Sequence, residues 1–100
     1  MIIYLAGKIT GNPEYRKQFA AAKAELQAEG HIVLNPAELP EGMSQAAYIR
    51  ICFAMIDAAD GICGVGRWTE SRGAIIETSY ADYSGKPIRN LDDALEGWFE

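Results

Sequence analysis

The stretch Gly61 to Ala81 reads GICGVGRWTESRGAIIETSYA. Gly61 to Val65 is a short apolar run with the length of a buried strand. A polar loop through Gly66 and Trp68 follows, and then a helix predicted over about Arg72 to Tyr83. Ser71 or Thr69 can cap that helix, because a hydroxyl accepts from the free N–H groups of a first helical turn. Within it, Glu77 has Gly73 four residues before it, Ala74 three before it and Ala81 four after it. Positions three and four apart share a face, so this carboxylate stands on a strip of small residues. Two readings are open. In one, the helix N-terminus at Ser71, Arg72 and Gly73 holds an anion, and an acid about one turn away works on a phosphorylated ligand. In the other, the small residues only let the helix pack closely on a sheet, and Glu77 faces water.

Outward from this unit the chain repeats the same alternation. Ile2 to Ala6 is a strand ended by Gly7, with Lys8-Ile9-Thr10-Gly11 as a turn. Asn12 reads as an N-cap and Pro13 as a first helical residue. Tyr15, Phe19, Ala22 and Leu26 then share one helical face, and Gly30 stops that helix. His31 to Leu34 is a second strand, closed by Asn35-Pro36. Ser44 caps a helix to about Ala59 with Tyr48, Ile51, Cys52, Met55 and Ile56 on its apolar side. Gly85-Lys86-Pro87 turns the chain into a fourth strand at Ile88, and Asn90 caps a last helix over about Leu91 to Phe99. Strand–helix repeats of this length give parallel strands joined by right-handed crossovers. The expectation is one α/β domain over residues 1–100, with a four-stranded parallel sheet and helices on both faces. Ligands bind outside the carboxyl ends of such strands, where the strand order reverses. The Gly7 to Asn12 turn, Asn35, the Gly66 to Ser71 loop and the start of the Glu77 helix are expected there. Asp57 and Asp60 fall at the opposite end and are set aside as catalysts.

Composition narrows the classes. A chain of 100 residues with 49% hydrophobic residues can fold alone with little margin, and self-association would help it. A net charge of −5 argues against a nucleic-acid backbone as partner, while nine basic residues suffice to line a small anion pocket. Cys52 and Cys63 form neither a metal pattern nor a disulfide framework and read as buried thiols; no metal or cofactor is expected. MIIYLAG is too short and lacks the basic flank of a signal peptide. No apolar run reaches transmembrane length, so a cytoplasmic protein without membrane contact is expected.

Several residues carry paired readings. The GKITG turn at Gly7 to Gly11 matches neither the triphosphate loop nor the dinucleotide fingerprint; its N–H groups hold an anion or sugar hydroxyl, or it is a plain connection. Tyr4 is an ordinary strand residue or, from the central strand, holds a carboxylate at the crevice. Trp68 covers core or stacks on a base. Trp98 and Phe99 pack on the sheet or on another subunit, and His31 is solvated.

Tyr4-Leu5-Ala6-Gly7, Asn35-Pro36-Ala37 and Trp68-x-x-Ser71-x-Gly73-Ala74-x-x-Glu77-x-x-x-Ala81 together resemble the nucleoside 2-deoxyribosyltransferase-like superfamily. The resemblance covers roughly residues 1–88 and is greatest to a branch of small bacterial and phage proteins. It implies a flavodoxin-like three-layer sandwich. It also implies cleavage of the N-glycosidic bond of 2'-deoxynucleosides or their 5'-monophosphates, with transfer to a second base or to water. Glu77 matches the superfamily's nucleophile, and Tyr4 the tyrosine that orients it. Ser71 and Gly73, with nearby backbone, match the 5'-phosphate site, and Gly7 the first-turn glycine. Two positions depart. Cys52 stands where the enzymes carry an aspartate on the second helix, and Thr10 where the hydrolases carry an arginine, a charge that Arg67, Arg72 or Arg16 can replace.

A carboxylate beneath the anomeric carbon stabilises or traps the oxocarbenium character that builds as the bond breaks. The candidate site is therefore Glu77 and Tyr4 as catalytic residues, with Gly7, Lys8, Thr10, Asn35, Trp68, Ser71, Arg72 and Gly73 binding a small-molecule nucleoside or nucleotide. Glu70 and Glu38 are the next acids. Alternatives are a nucleotide-binding module without turnover, acting as sensor or sponge, and an interaction protein with a vestigial pocket. Ile75, Ile76, Tyr80 and Tyr83 give the Glu77 helix a second apolar side, and a homodimer is expected.

Overall fold

The structure, a computed structural model, describes residues 1–98. In chain order the elements are β1 (Ile2–Gly7), α1 (Tyr15–Ala28), β2 (Ile32–Leu34), α2 (Gln45–Ala58), β3 (Gly61–Val65), α3 (Arg72–Tyr83), β4 (Ile88–Asn90) and α4 (Leu91–Glu96). Short 3-10 turns at Pro36–Glu38 and Trp68–Glu70 follow β2 and β3. The strands form one parallel sheet in the order β2-β1-β3-β4. This is the flavodoxin-like arrangement expected from the sequence, with the order reversing between β1 and β3.

Alternation along β1 sorts the core into two layers. Ile3 and Leu5 pack with Phe19, Ala22 and Leu26 of α1 and with Ala94 of α4. One residue along, Tyr4 and Ala6 pack with Cys52 and Ile56 of α2 and with Ala74 and Ala81 of α3. β1 lies between β2 and β3, with Tyr4 in register with Leu34 and Ile62. That central place explains its unbroken apolar run.

The caps follow local chemistry. Ser44 Oγ accepts from the Ala47 N–H at 3.1 Å, and Ser71 Oγ from the Ala74 N–H at 3.2 Å. Thr69 lies within the 3-10 turn instead. The carboxyl end of α2 is held from outside. Lys86 Nζ donates to the carbonyls of Ile56, Asp57 and Ala59 at 2.7, 2.8 and 2.6 Å, placing a cation where a helix end favours one. Asp60 and Asp57 are structural: Asp60 accepts from the Ile2 N–H at 2.8 Å, and Asp57 from the Tyr80 hydroxyl at 2.5 Å.

Four expectations are corrected. Helix α1 begins at Tyr15, because Asn12 Oδ1 accepts from the Glu14 N–H at 3.2 Å in a side-chain-closed turn. Asn90 stands at the start of α4 but makes no side-chain cap; its Oδ1 accepts from the Trp68 indole at 2.8 Å. Helix α4 stops at Glu96, where Gly97 takes a φ of 144° that L side chains rarely adopt. Trp98 is buried against Gly61 on the α1 side of the sheet, while Phe99 lies outside the described residues. His31 precedes β2 and is partly buried, its Nδ1 3.3 Å from the chain's amino terminus. Among the described residues no helix is long and apolar enough to cross a membrane, and no group of His, Cys, Asp and Glu can hold a metal ion.

Candidate active site

Tyr4 is fully buried in the central strand, and its side chain points under α2 and α3. Its hydroxyl donates to Glu77 Oε1 at 2.9 Å, joining residues 73 positions apart. Glu77 is partly buried, so the reading in which it simply faces water does not hold. The small-residue strip does serve packing: Ala74 and Ala81 are buried against the sheet, whereas Gly73 is exposed. Close approach of α3 is what brings the carboxylate down onto the tyrosine.

Burial raises the Glu77 carboxyl to about 7, while the Tyr4 hydroxyl and the Cys52 thiol act to lower it. Tyr4 is raised far above its ordinary value, first by burial and then by the Glu77 charge. Cys52 is buried on α2 beside both residues; burial raises its thiol to about 11, opposed by Tyr4 and reinforced by Glu77. The three side chains, from β1, α2 and α3, form one coupled cluster in a poorly solvated place. A carboxyl near 7 is poised between acid and nucleophile at neutral pH.

The other candidate residues divide among different surfaces. Lys8 joins Gly11, Asn12, Gln18, Gly66 and Arg67 around a groove of about 260 Å³ at the carboxyl ends of β1 and β3. Asn12 shapes it, its amide donating to the Lys8 carbonyl at 2.9 Å and to Gln18 Oε1 at 2.8 Å. Thr10 is exposed in the adjoining turn. A side chain at Gly7 would meet Phe19 Cζ at 2.8 Å and the Val65 carbonyl at 3.1 Å, so packing alone requires glycine there. Asn35 is separate from these: it is buried, its Oδ1 accepts from the Ala37 N–H at 2.9 Å, and it lines a second groove of about 190 Å³ with Arg16, Lys23 and Glu38. Trp68 lies against Gly64 and packs on the core of the α2/α3 face. Ser71 is buried in its cap, while Arg72 and Gly73 are exposed in the first turn of α3. Two neighbours escaped sequence reasoning: Gln18, whose only signal is its place in the first turn of α1, and Asn90, whose partner is 22 residues earlier in the chain.

In structure the chain is similar to nucleoside 2-deoxyribosyltransferases and to a nucleotide N-glycosidase. It is similar in structure to the 2-deoxyribosyltransferase of the psychrotolerant bacterium Bacillus psychrosaccharolyticus, with TM-score 0.73 and 26% identity over 90% of this chain and 71% of that one. A 2-deoxyribosyltransferase from Leishmania mexicana aligns with TM-score 0.70 and 22% identity, over 89% of this chain and 62% of that one. The CMP N-glycosidase of Clostridium botulinum aligns with TM-score 0.66 and 20% identity, over 96% and 81%. At their identities the last two speak for the fold alone. A family model, the domain of unknown function DUF4406, matches residues 1–90, and the chain belongs to that family. Among curated proteins none gives a significant match.

Proposed function

We propose that the chain cleaves or transfers at the N-glycosidic bond of a 2'-deoxynucleoside or its 5'-monophosphate, with Glu77 as nucleophile. The observation that carries this reading is the 2.9 Å bond from the buried Tyr4 hydroxyl to Glu77 Oε1. The tyrosine fixes one carboxylate oxygen and leaves the other to meet the anomeric carbon. Likeness to a 2-deoxyribosyltransferase over 90% of the chain supports the substrate class. A 5'-phosphate is assigned to the first turn of α3, on the Ser71 hydroxyl proton and the N–H groups of Arg72 and Gly73. Base release from a panel of deoxynucleosides and their monophosphates, wild type against Glu77→Gln, is the test; no release from any member defeats the proposal.

Neither groove described above includes Glu77, and Ile75 and Ile76 beside it are 41% and 44% exposed, with Tyr83 at 91%. We infer a homodimer in which a second copy covers this exposed apolar side of α3. Light scattering that finds a monomer at micromolar concentration rejects it. The second functional reading, nucleotide binding without turnover, is favoured by Cys52, which brings a thiol to the cluster where the resemblance implies a carboxylic acid. Saturable binding of a monophosphate with no base released would select it.

A further inference from the structure

Which base can leave depends on where its proton comes from. A neutral nucleobase departs as an anion unless an acid protonates it, and a positioned acid works best with a pKa near the working pH. On a single chain, Tyr4, Cys52, Thr78, Trp68 and Glu70 are each spent or weak as donors. From β1, the Tyr4 proton is given to Glu77 itself at 2.9 Å. From α2, the Cys52 thiol is raised to about 11. Within α3, the Thr78 hydroxyl donates to the Ala74 carbonyl at 2.9 Å. From the loop after β3, the Trp68 indole donates to Asn90 at 2.8 Å, and Glu70 lies 3.7 Å from Arg67 at the surface. Glu77 cannot be both the unprotonated nucleophile and the acid.

Resting on the glycosidic reading above, we propose that this site takes glycosides whose base already bears a positive charge at the glycosidic linkage, such as N-alkylated purine or pyridinium nucleotides. The bond from the anomeric carbon to nitrogen breaks, and its electron pair returns to the ring and cancels the charge, so the base leaves neutral without a proton. A Glu77 carboxylate oxygen bonds to the anomeric carbon. Water then adds its hydroxyl there, the ester bond breaks with its electrons returning to the carboxylate, and one proton passes to solvent.

The test compares 7-methyl-2'-deoxyguanosine 5'-monophosphate with 2'-deoxyguanosine 5'-monophosphate on the full chain, subtracting release by Glu77→Gln. The expected kcat/KM is greater for the methylated substrate by at least about a hundredfold, the low end of what a general acid would otherwise supply. For the neutral substrate the rate should rise with pH to a plateau and not fall again on the basic side. A smaller ratio, or a basic limb for the neutral substrate, shows an acid at work and overturns the inference while the glycosidic reading stands. Release from neither substrate overturns both.

Discussion

On one side of the sheet, Ile3 and Leu5 meet Phe19, Leu26 and Cys63; on the other, one residue along the same strand, Tyr4 meets Cys52 and Glu77. The two cysteines measure the contrast. Burial alone raises the Cys63 thiol, to about 12, and its nearest polar partner is the Gly64 carbonyl at 3.8 Å. The Cys52 thiol, near 11, also senses Tyr4 and Glu77. Both layers stabilise by burying apolar surface. Among the described residues, the second layer buries a carboxyl whose charge its neighbours control, so there a change of pH or of one hydrogen bond alters chemistry.

The sharpest way to break this contrast is Glu77→Gln. Base release should vanish; more than about a tenth of the wild-type rate would defeat the nucleophile assignment, because a factor of ten is only about 1.4 kcal/mol of barrier. The fold should survive. The folded carboxyl titrates near 7 and the unfolded one near its ordinary value of 4.5. Between these values the folded state holds more protons, so wild-type stability falls as pH rises through this window and stays lowered above it. Thermal melts should then show Glu77→Gln ahead of wild type at about pH 8 by on the order of 1–3 kcal/mol, with the gap closing near about pH 5.

Phe19→Ala strikes the other face. It should cost about 3–5 kcal/mol in denaturant unfolding and leave the rate per folded molecule unchanged. A loss of rate without loss of stability would show that the two faces are coupled. Tyr4→Phe removes one hydrogen bond to a charged group, worth about 1.5–3 kcal/mol, so the rate at neutral pH should drop roughly ten- to a hundredfold. Because the hydroxyl helps lower the Glu77 pKa, the rising limb of the pH–rate profile should also move above about 7. An unmoved limb would reduce Tyr4 to a packing residue.

Ser71→Ala should weaken monophosphate binding by roughly ten- to a hundredfold and nearly spare nucleoside binding. Equal weakening of both ligands in calorimetry would leave the serine as the cap of α3 and nothing more. The smallest effects compare the thiols. Cys52→Ala should raise the pH–rate limb slightly, since that thiol helps keep Glu77 acidic, whereas Cys63→Ala should change stability and leave the limb in place. Identical pH profiles for the two variants would remove Cys52 from the cluster.

Where neighbours three or four residues away decide a structure, the sequence alone was enough. The cap hydroxyls of Ser44 and Ser71, strand β3 and helix α3 all follow from local hydrogen bonding and apolar periodicity, and the repeat of strands and helices determined the parallel sheet. Asn12 shows the edge of that power: a helix cap and a side-chain-closed turn share one signature, and the turn's further bonds to Lys8 and Gln18 decided between them. The site depended on more distant partners. Spacing placed Glu77 on a strip of small residues, but whether its carboxylate met water or a partner was decided by Tyr4, 73 residues earlier and on the central strand. The strand-order rule gathered the turns at one end of the sheet; which face each side chain took depended on the alternation of β1. Lys8 and Asn35 line separate grooves, and the glutamate of α3 turns toward Tyr4 of the central strand. A carboxyl's acidity depends on burial and on the donors around it, and both exist only once the layers have packed.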